Sequence, residues 1–246
     1  AATLNEEEKS SERKFVLSRV NGRVPIVLGV GGNNTKAVVE ALKNDGMEGI
    51  DAILSVVPYY NKPSQEGIFQ HYSVIAEASK VPVILYNVPG RTGVNMTAET
   101  TLRLANKYDN IIAIKEASGN IVQVNNIIKN KPKDVMVISG DDGITYPLMT
   151  MGAVGVISVI GNAFPKEFGK MVRLALAGDY QSAREIHQHF TDLFDLLFVD
   201  GNPAGVKCML SIMGYIENKL RLPLVPTRIT TFEKMRDVLD KLNIKC

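Results

Sequence analysis

Val81-Pro82-Val83-Ile84-Leu85-Tyr86 and, further along, Ile111-Ile112-Ala113-Ile114-Lys115 decide the fold. Both are short, almost wholly apolar, rich in β-branched residues, and end on a polar group. A strand that is apolar on both sides has no water-facing side, which is the condition of a parallel sheet covered by helices. Similar runs recur at 24–30, 50–57, 135–139 and 154–160, giving six strands in all. Helical patterns lie between them. Val38, Ala41 and Leu42 share one face, as do Ile121, Val124 and Ile128, and later Phe168, Val172 and Ala175. Asp45-Gly46 and Ala177-Gly178 read as helix stops. Right-handed crossovers then leave two architectures, a closed (β/α)8 barrel or an open doubly wound sheet.

After Ile160 the pattern is helical to the end of the chain. Thr230-x-x-Glu233 forms a predicted capping box ahead of Phe232, Met235, Val238, Leu239 and Leu242. The chain opens on a helix near residues 5–20 with no strand before it. Six parallel strands behind an orphan leading helix have the pattern of a barrel without its first β-α-β.

Composition excludes several classes. At 246 residues, with 45% hydrophobic and 22% charged residues, the chain is an ordinary globular domain large enough for one core. A net charge of +2 with scattered Lys and Arg gives no electrostatic footprint for nucleic acid. No apolar run reaches the roughly 18 residues a membrane helix needs. Cys208 and Cys246 lie far apart, outside any C-x-x-C pair, as expected in a reducing compartment. The opening Ala1-Ala2-Thr3-Leu4-Asn5-Glu6-Glu7-Glu8 has neither a basic nor an apolar signal region. The expected location is the cytoplasm.

In either parallel architecture, reactive groups gather at the C-terminal strand ends. Those ends carry Gly29-Val30-Gly31-Gly32-Asn33, Pro58-Tyr59-Tyr60-Asn61, Tyr86-Asn87-Val88-Pro89, Lys115-Glu116 and Gly140-Asp141-Asp142. Period-2 alternation puts Lys115 on the face of Ile111 and Ala113. If that face is a barrel interior, burial disfavours the ammonium. From a reference near 10.4, about one lysine in a thousand is neutral near pH 7.4, and removing that handicap takes ~4 kcal/mol of differential destabilisation. The neutral amine then attacks a ketone to form an imine. A lysine paired with a carboxylate, or snorkelling to the rim, is the plain alternative.

Tyr86 ends the preceding strand, about 5 Å away in a parallel sheet, where a phenol can move protons as an imine forms. A tyrosine packed on the core with its hydroxyl at the edge gives the same pattern. Arg91 follows, with Pro89 keeping Val88 extended and Gly90 allowing a tight turn. Its guanidinium suits a planar carboxylate, or is a solvated loop arginine. The remaining signals are weak. Gly29-x-Gly31 lacks the third glycine of a dinucleotide loop, since position 34 is Asn. His187 and His189, two apart on a helix, point to different faces. His71 has no obvious partner. Asp141-Asp142 lacks the further carboxylates of a Mg²⁺ site and reads as a turn. No metal is expected.

The sequence resembles the dihydrodipicolinate synthase family, a branch of the N-acetylneuraminate lyase superfamily. The resemblance runs from about Ala2 to the C-terminus. It is carried by Pro58-Tyr59-Tyr60-Asn61-Lys62-Pro63-Ser64-Gln65, the segment from Tyr86 to Gly93, Ile114-Lys115-Glu116-Ala117-Ser118-Gly119-Asn120, Ser139-Gly140-Asp141-Asp142 and Gly155-Val156-Ile157-Ser158. The resemblance implies an α/β (β/α)8 TIM barrel with a C-terminal helical extension. Residues 1–165 would be strands 3 to 8 of the family barrel, and 166–246 its last helix and the extension. It implies condensation of pyruvate with L-aspartate 4-semialdehyde in lysine biosynthesis, without a metal or organic cofactor. Lys115 would form the imine, Tyr86 would relay protons, and Arg91 would hold a substrate carboxylate. Ile157 would line the pyruvate pocket with its backbone. Tyr60 would reach across a tight interface into a neighbouring copy, which implies a homo-oligomer, usually a tetramer built as a dimer of dimers.

The sequence departs from the family at its start. The family's first two strands and a Gly-Thr-Thr-Gly-Glu-like segment, whose second threonine links the two tyrosines, have no counterpart here. The expectation is an incomplete record of a longer protein. In lysine-sensitive members an interface site carries polar and histidine side chains. Asn33 and Tyr59 match it, but Glu6 and Lys9 stand where histidines often occur, which argues against feedback by lysine. Two other functions remain open. One is a different pyruvate-dependent aldolase, such as an N-acetylneuraminate or keto-deoxy-sugar lyase. The other is a non-catalytic homologue that keeps the barrel remnant for oligomerisation or ligand binding.

Overall fold

A computed structural model describes residues 2–44 and 47–242. Helix α1 (Glu6–Val20) leads into β1 (Val27–Gly29), α2 (Thr35–Asn44), β2 (Ala52–Val56), α3 (Gln65–Ala78) and β3 (Val83–Asn87). The short α4 (Pro89–Thr92), α5 (Ala98–Lys107), β4 (Ile111–Glu116), α6 (Ile121–Asn130) and β5 (Met136–Ser139) follow. The rest is helical: α7 (Thr145–Thr150), α8 (Pro165–Leu176), α9 (Tyr180–His189), α10 (Thr191–Leu196), α11 (Ala204–Ile212) and α12 (Ile229–Lys241). The chain forms two compact units. One runs to Gly140 and includes Met151–Gly155; the other comprises Asp141–Thr150 and the chain from Val156 onward.

The first unit holds a parallel sheet in the order β1-β2-β3-β4-β5, so each strand pairs with the next across a helical crossover. Val83, Leu85, Asn87, Ile114, Glu116, Val137 and Ser139 are all fully buried. They alternate with Ile84, Tyr86, Ala113, Lys115 and Ile138 along the strands. The continuous apolar runs of β2, β3 and β4 are explained by this arrangement, in which both faces of the central strands are largely covered.

Five of the six expected strands form. The sixth, residues 154–160, begins correctly: Val154 N donates to Val137 O at 2.9 Å, and Ser139 N donates to Gly155 O at 2.8 Å. The chain then leaves the ladder, because the Asp142 carboxylate accepts the backbone N–H groups of Val159 (2.9 Å) and Ile160 (2.8 Å). A 3₁₀ turn at Ile160–Asn162 results. An apolar run cannot reveal that a carboxylate elsewhere will claim its donors.

Three smaller expectations are corrected. The β3–β4 register slips between Val83–Ile111 and Ile84–Ala113. Ile112, rather than Ile111, therefore packs with Ala52, Ile84 and Ala113. The predicted capping box at Thr230 does not form. Helix α12 starts at Ile229 with Arg228 as its cap, since Asp200 accepts Arg228 N at 3.0 Å and Arg228 Nε at 2.7 Å. The glycine that turns the chain after β3 is Gly93, at φ +76°, rather than Gly90. The stop at Ala177-Gly178 does end α8, with Gly178 at φ +84°, whereas Asp45-Gly46 lies outside the described residues.

Helix α1 is well capped: Asn5 accepts Glu8 N and Glu8 accepts Asn5 N. It nevertheless buries none of its residues. In the second unit Phe164, Phe168, Phe190 and Phe194 form an aromatic core, with ring centroids 5.0 to 6.3 Å apart. Among the described residues no helix is long and apolar enough to cross a membrane.

Candidate active site

The parallel register sets Val56 beside Tyr86, Tyr86 beside Lys115, and Lys115 beside Ile138. These residues form one layer across the sheet near the C-terminal strand ends. The apolar layer of Leu54, Ile84 and Ala113 lies one step below. Lys115 is 9% exposed, an unusual position for a lysine. Its Nζ lies 4.3 Å from the centroid of the Tyr86 ring. Strand pairing thus brings an amine and a phenol together from positions 29 residues apart in sequence.

Gly140 makes room for the amine. A Cβ there would stand 2.8 Å from Lys115 Cε and 2.7 Å from Ala117 Cβ, closer than carbon atoms pack. Its backbone is held where the side chain would collide, because Gly140 N donates to Glu116 O at 2.8 Å. Proximity in sequence to Asp141-Asp142 marked this glycine only as part of a strand end; its service to Lys115 is a three-dimensional property.

Tyr86 is half-buried, and that burial pushes its phenol above the usual range, while the positive charge of Arg91 pulls it back. The phenol therefore stays protonated at neutral pH. Arg91 sits in α4, a single turn that opens on Pro89 and closes on Gly93. It is exposed at the rim, close enough to influence Tyr86.

Tyr60 is 87% exposed and held at φ +71°, costly for an aromatic side chain. Its loop is pinned on both sides: Asn33 Nδ2 donates to Tyr59 O (3.1 Å) and Asn61 Nδ2 donates to Asn33 O (2.9 Å). Ile157 is half-buried in the second unit. Asp141 caps its own turn by accepting Gly143 N at 2.9 Å. His187 packs beside Tyr146 and Phe194, while His189 is exposed. Among the described residues, no three His, Cys, Asp or Glu side chains are grouped to hold a metal.

A model of the dihydrodipicolinate synthetase family matches residues 1–242. The chain belongs to that family. A 4-hydroxy-tetrahydrodipicolinate synthase from Parabacteroides distasonis is 74% identical over 244 residues, covering 99% of this chain and 82% of the relative. A dihydrodipicolinate synthase structure from Thermotoga maritima superposes with a TM-score of 0.96 at 40% identity, covering 99% of this chain and 84% of that one. A third relative, from Acinetobacter baumannii and solved with pyruvate, is 41% identical with a TM-score of 0.95, over 99% of this chain and 84% of that one. The fold is thus α/β with a parallel sheet, like that of the TIM-barrel synthases of the dihydrodipicolinate synthetase family.

Proposed function

We propose that this chain condenses pyruvate with L-aspartate 4-semialdehyde to 4-hydroxy-tetrahydrodipicolinate, with Lys115 as the imine-forming residue. The observation that carries the assignment is the buried Lys115 amine lying over the Tyr86 ring at a strand end. The neutral amine adds to the ketone carbon of pyruvate, and the Tyr86 phenol carries protons as the carbinolamine loses water. Loss of a C3 proton from the iminium gives an enamine, which bonds to the aldehyde carbon of the semialdehyde. The amino group of the adduct then attacks the imine carbon, closing the ring and freeing Lys115. The Tyr86 ring face under the Lys115 nitrogen supports the cationic iminium once it forms. Arg91 offers a bidentate fork to a substrate carboxylate.

Family resemblance assigns Ile157 a backbone role in the pyruvate pocket, and divides the chain into a barrel portion, residues 1–165, and a helical extension, residues 166–246. It also assigns Tyr60 to the site of a second copy in a tetramer built as a dimer of dimers; the exposed ring and the pinned, left-handed backbone at Tyr60 support this. The closed eight-stranded form would place further strand pairing along the outer edge of β1. The exposure of Val27 and the bare faces of α1 support that extension.

The test is a pair of assays on the purified chain. Condensation of pyruvate with L-aspartate 4-semialdehyde is expected, with no cleavage of N-acetylneuraminate. Cleavage without condensation would transfer the chain to the sugar-acid lyases, and neither activity would leave a non-catalytic homologue.

A further inference from the structure

Glu116 follows Lys115 in β4 and is fully buried. Its carboxylate accepts Asn87 Nδ2 at 3.1 and 3.2 Å, Gln123 Nε2 at 3.1 Å and Ser118 N at 2.8 Å. Asn87 follows Tyr86 and is the register partner of Glu116. The residues immediately after the phenol and the amine are therefore tied to each other by their side chains, on the face of the sheet opposite the reacting groups.

The orientation of this network is fixed. Met96 N donates to Asn87 Oδ1 at 3.0 Å, which turns the Asn87 NH₂ toward Glu116 and toward Asn95 Oδ1 at 2.8 Å. Asn95 Nδ2 donates to Gln123 Oε1 at 2.8 Å, which turns the Gln123 NH₂ the same way. Both amides thus present donors to position 116, and a side chain that only accepts satisfies them. An amide of the same size would set NH₂ against NH₂. Burying a carboxylate among neutral partners is a poor way to gain stability, so a positional role accounts better for the charge.

We propose that Glu116 is a positioning residue for imine formation. Together with Asn87 it locks the ends of β3 and β4, keeping Lys115 Nζ over the Tyr86 ring, and through Asn95 and Met96 it anchors the segment that follows Arg91. The proposal rests on Lys115 being the imine-forming lysine. Its effect falls on the chemical step, because small displacements of reacting groups cost rate far more than binding.

Borohydride trapping with saturating pyruvate, followed over time and mapped by peptide, tests the idea on the full chain and on Glu116→Gln and Glu116→Asp. Trapping at Lys115 is expected in all three, with half-saturating pyruvate little changed. The rate is expected to fall by about 10- to 100-fold in Glu116→Gln. Glu116→Asp should be faster than Glu116→Gln, although glutamine matches the native size; a packing role alone gives the opposite order. Should Glu116→Gln fail to fold, Asn87→Ala removes the same tie from β3 and is expected to slow trapping alike. Normal trapping with an unchanged rate in Glu116→Gln, or in Asn87→Ala where that variant is needed, overturns the proposal alone. The opposite order of the two Glu116 variants does the same. No trapping at Lys115 in the unsubstituted chain overturns the assignment of Lys115, and this proposal with it.

Discussion

At Lys115 the surroundings are set by what neighbouring positions omit as much as by what they supply. Gly140 lacks the Cβ that would strike Lys115 Cε, so Gly140→Ala is expected to push the amine off the Tyr86 ring. Overpacking of this kind costs about 1–3 kcal/mol. A displacement near 1 Å costs about 100-fold in rate. Thermal unfolding and imine-formation kinetics on the same variant separate the two effects; an unchanged rate would show that the amine does not need that space. Tyr86→Phe keeps the ring but loses the phenol. Imine formation is expected to slow by about 100- to 10,000-fold, the usual contribution of a positioned acid or base. Because burial raises the Tyr86 phenol, its ionisation should not depress the native rate below about pH 10. Pre-steady-state rates measured across that range check the point, and a fall near neutrality that is absent in Tyr86→Phe would refute it. That Lys115 and Tyr86 end neighbouring strands was legible in the sequence, because each closes an apolar run. Gly140 and Glu116 were not, since their meaning lies in partners brought in from elsewhere in the chain.

At the scale of elements, the strands were legible and their endings less so. The apolar runs mark β2 to β5 within a residue or two, because full burial leaves little room for other side chains. The register slip at Val83–Ile84 and the departure after Gly155 depend on hydrogen-bond competition, which an apolar run does not encode. The helix pair α2–α3 carries a titratable link of the same non-local kind. His71, on α3, is 5% exposed, and its Nδ1 lies 2.8 Å from Thr35 Oγ1 at the start of α2. Burial lowers its pKa from 6.5 to about 4. The unfolded chain therefore binds this proton between those values and the folded chain does not. The stability held by neutral His71 is complete above pH 6.5 and is lost as the pH falls toward 4. Urea denaturation at pH 7 and pH 5 is expected to show a larger drop in midpoint for the native chain than for His71→Leu. Equal drops would mean that His71 titrates normally when folded.

Across the whole molecule, the exposed apolar side chains are unevenly explained. Tyr60 stands in solvent with a backbone conformation that costs about 1–3 kcal/mol. That cost is rational if the ring is buried against a second copy. Sedimentation equilibrium is expected to give a multiple of 26.9 kDa for the native chain and a smaller species for Tyr60→Gly. A native monomer would remove Tyr60 from the site. The parallel α/β class followed from the sequence pattern, and the reaction from the family resemblance that the strand-end motifs carry. What joins these scales is the covalent chemistry proposed at one amine. Reduction with borohydride in the presence of pyruvate, followed by peptide mapping, tests it most directly. One reduced pyruvate on the peptide containing Lys115 is the expected result. Modification of another lysine, or of none, would contradict it.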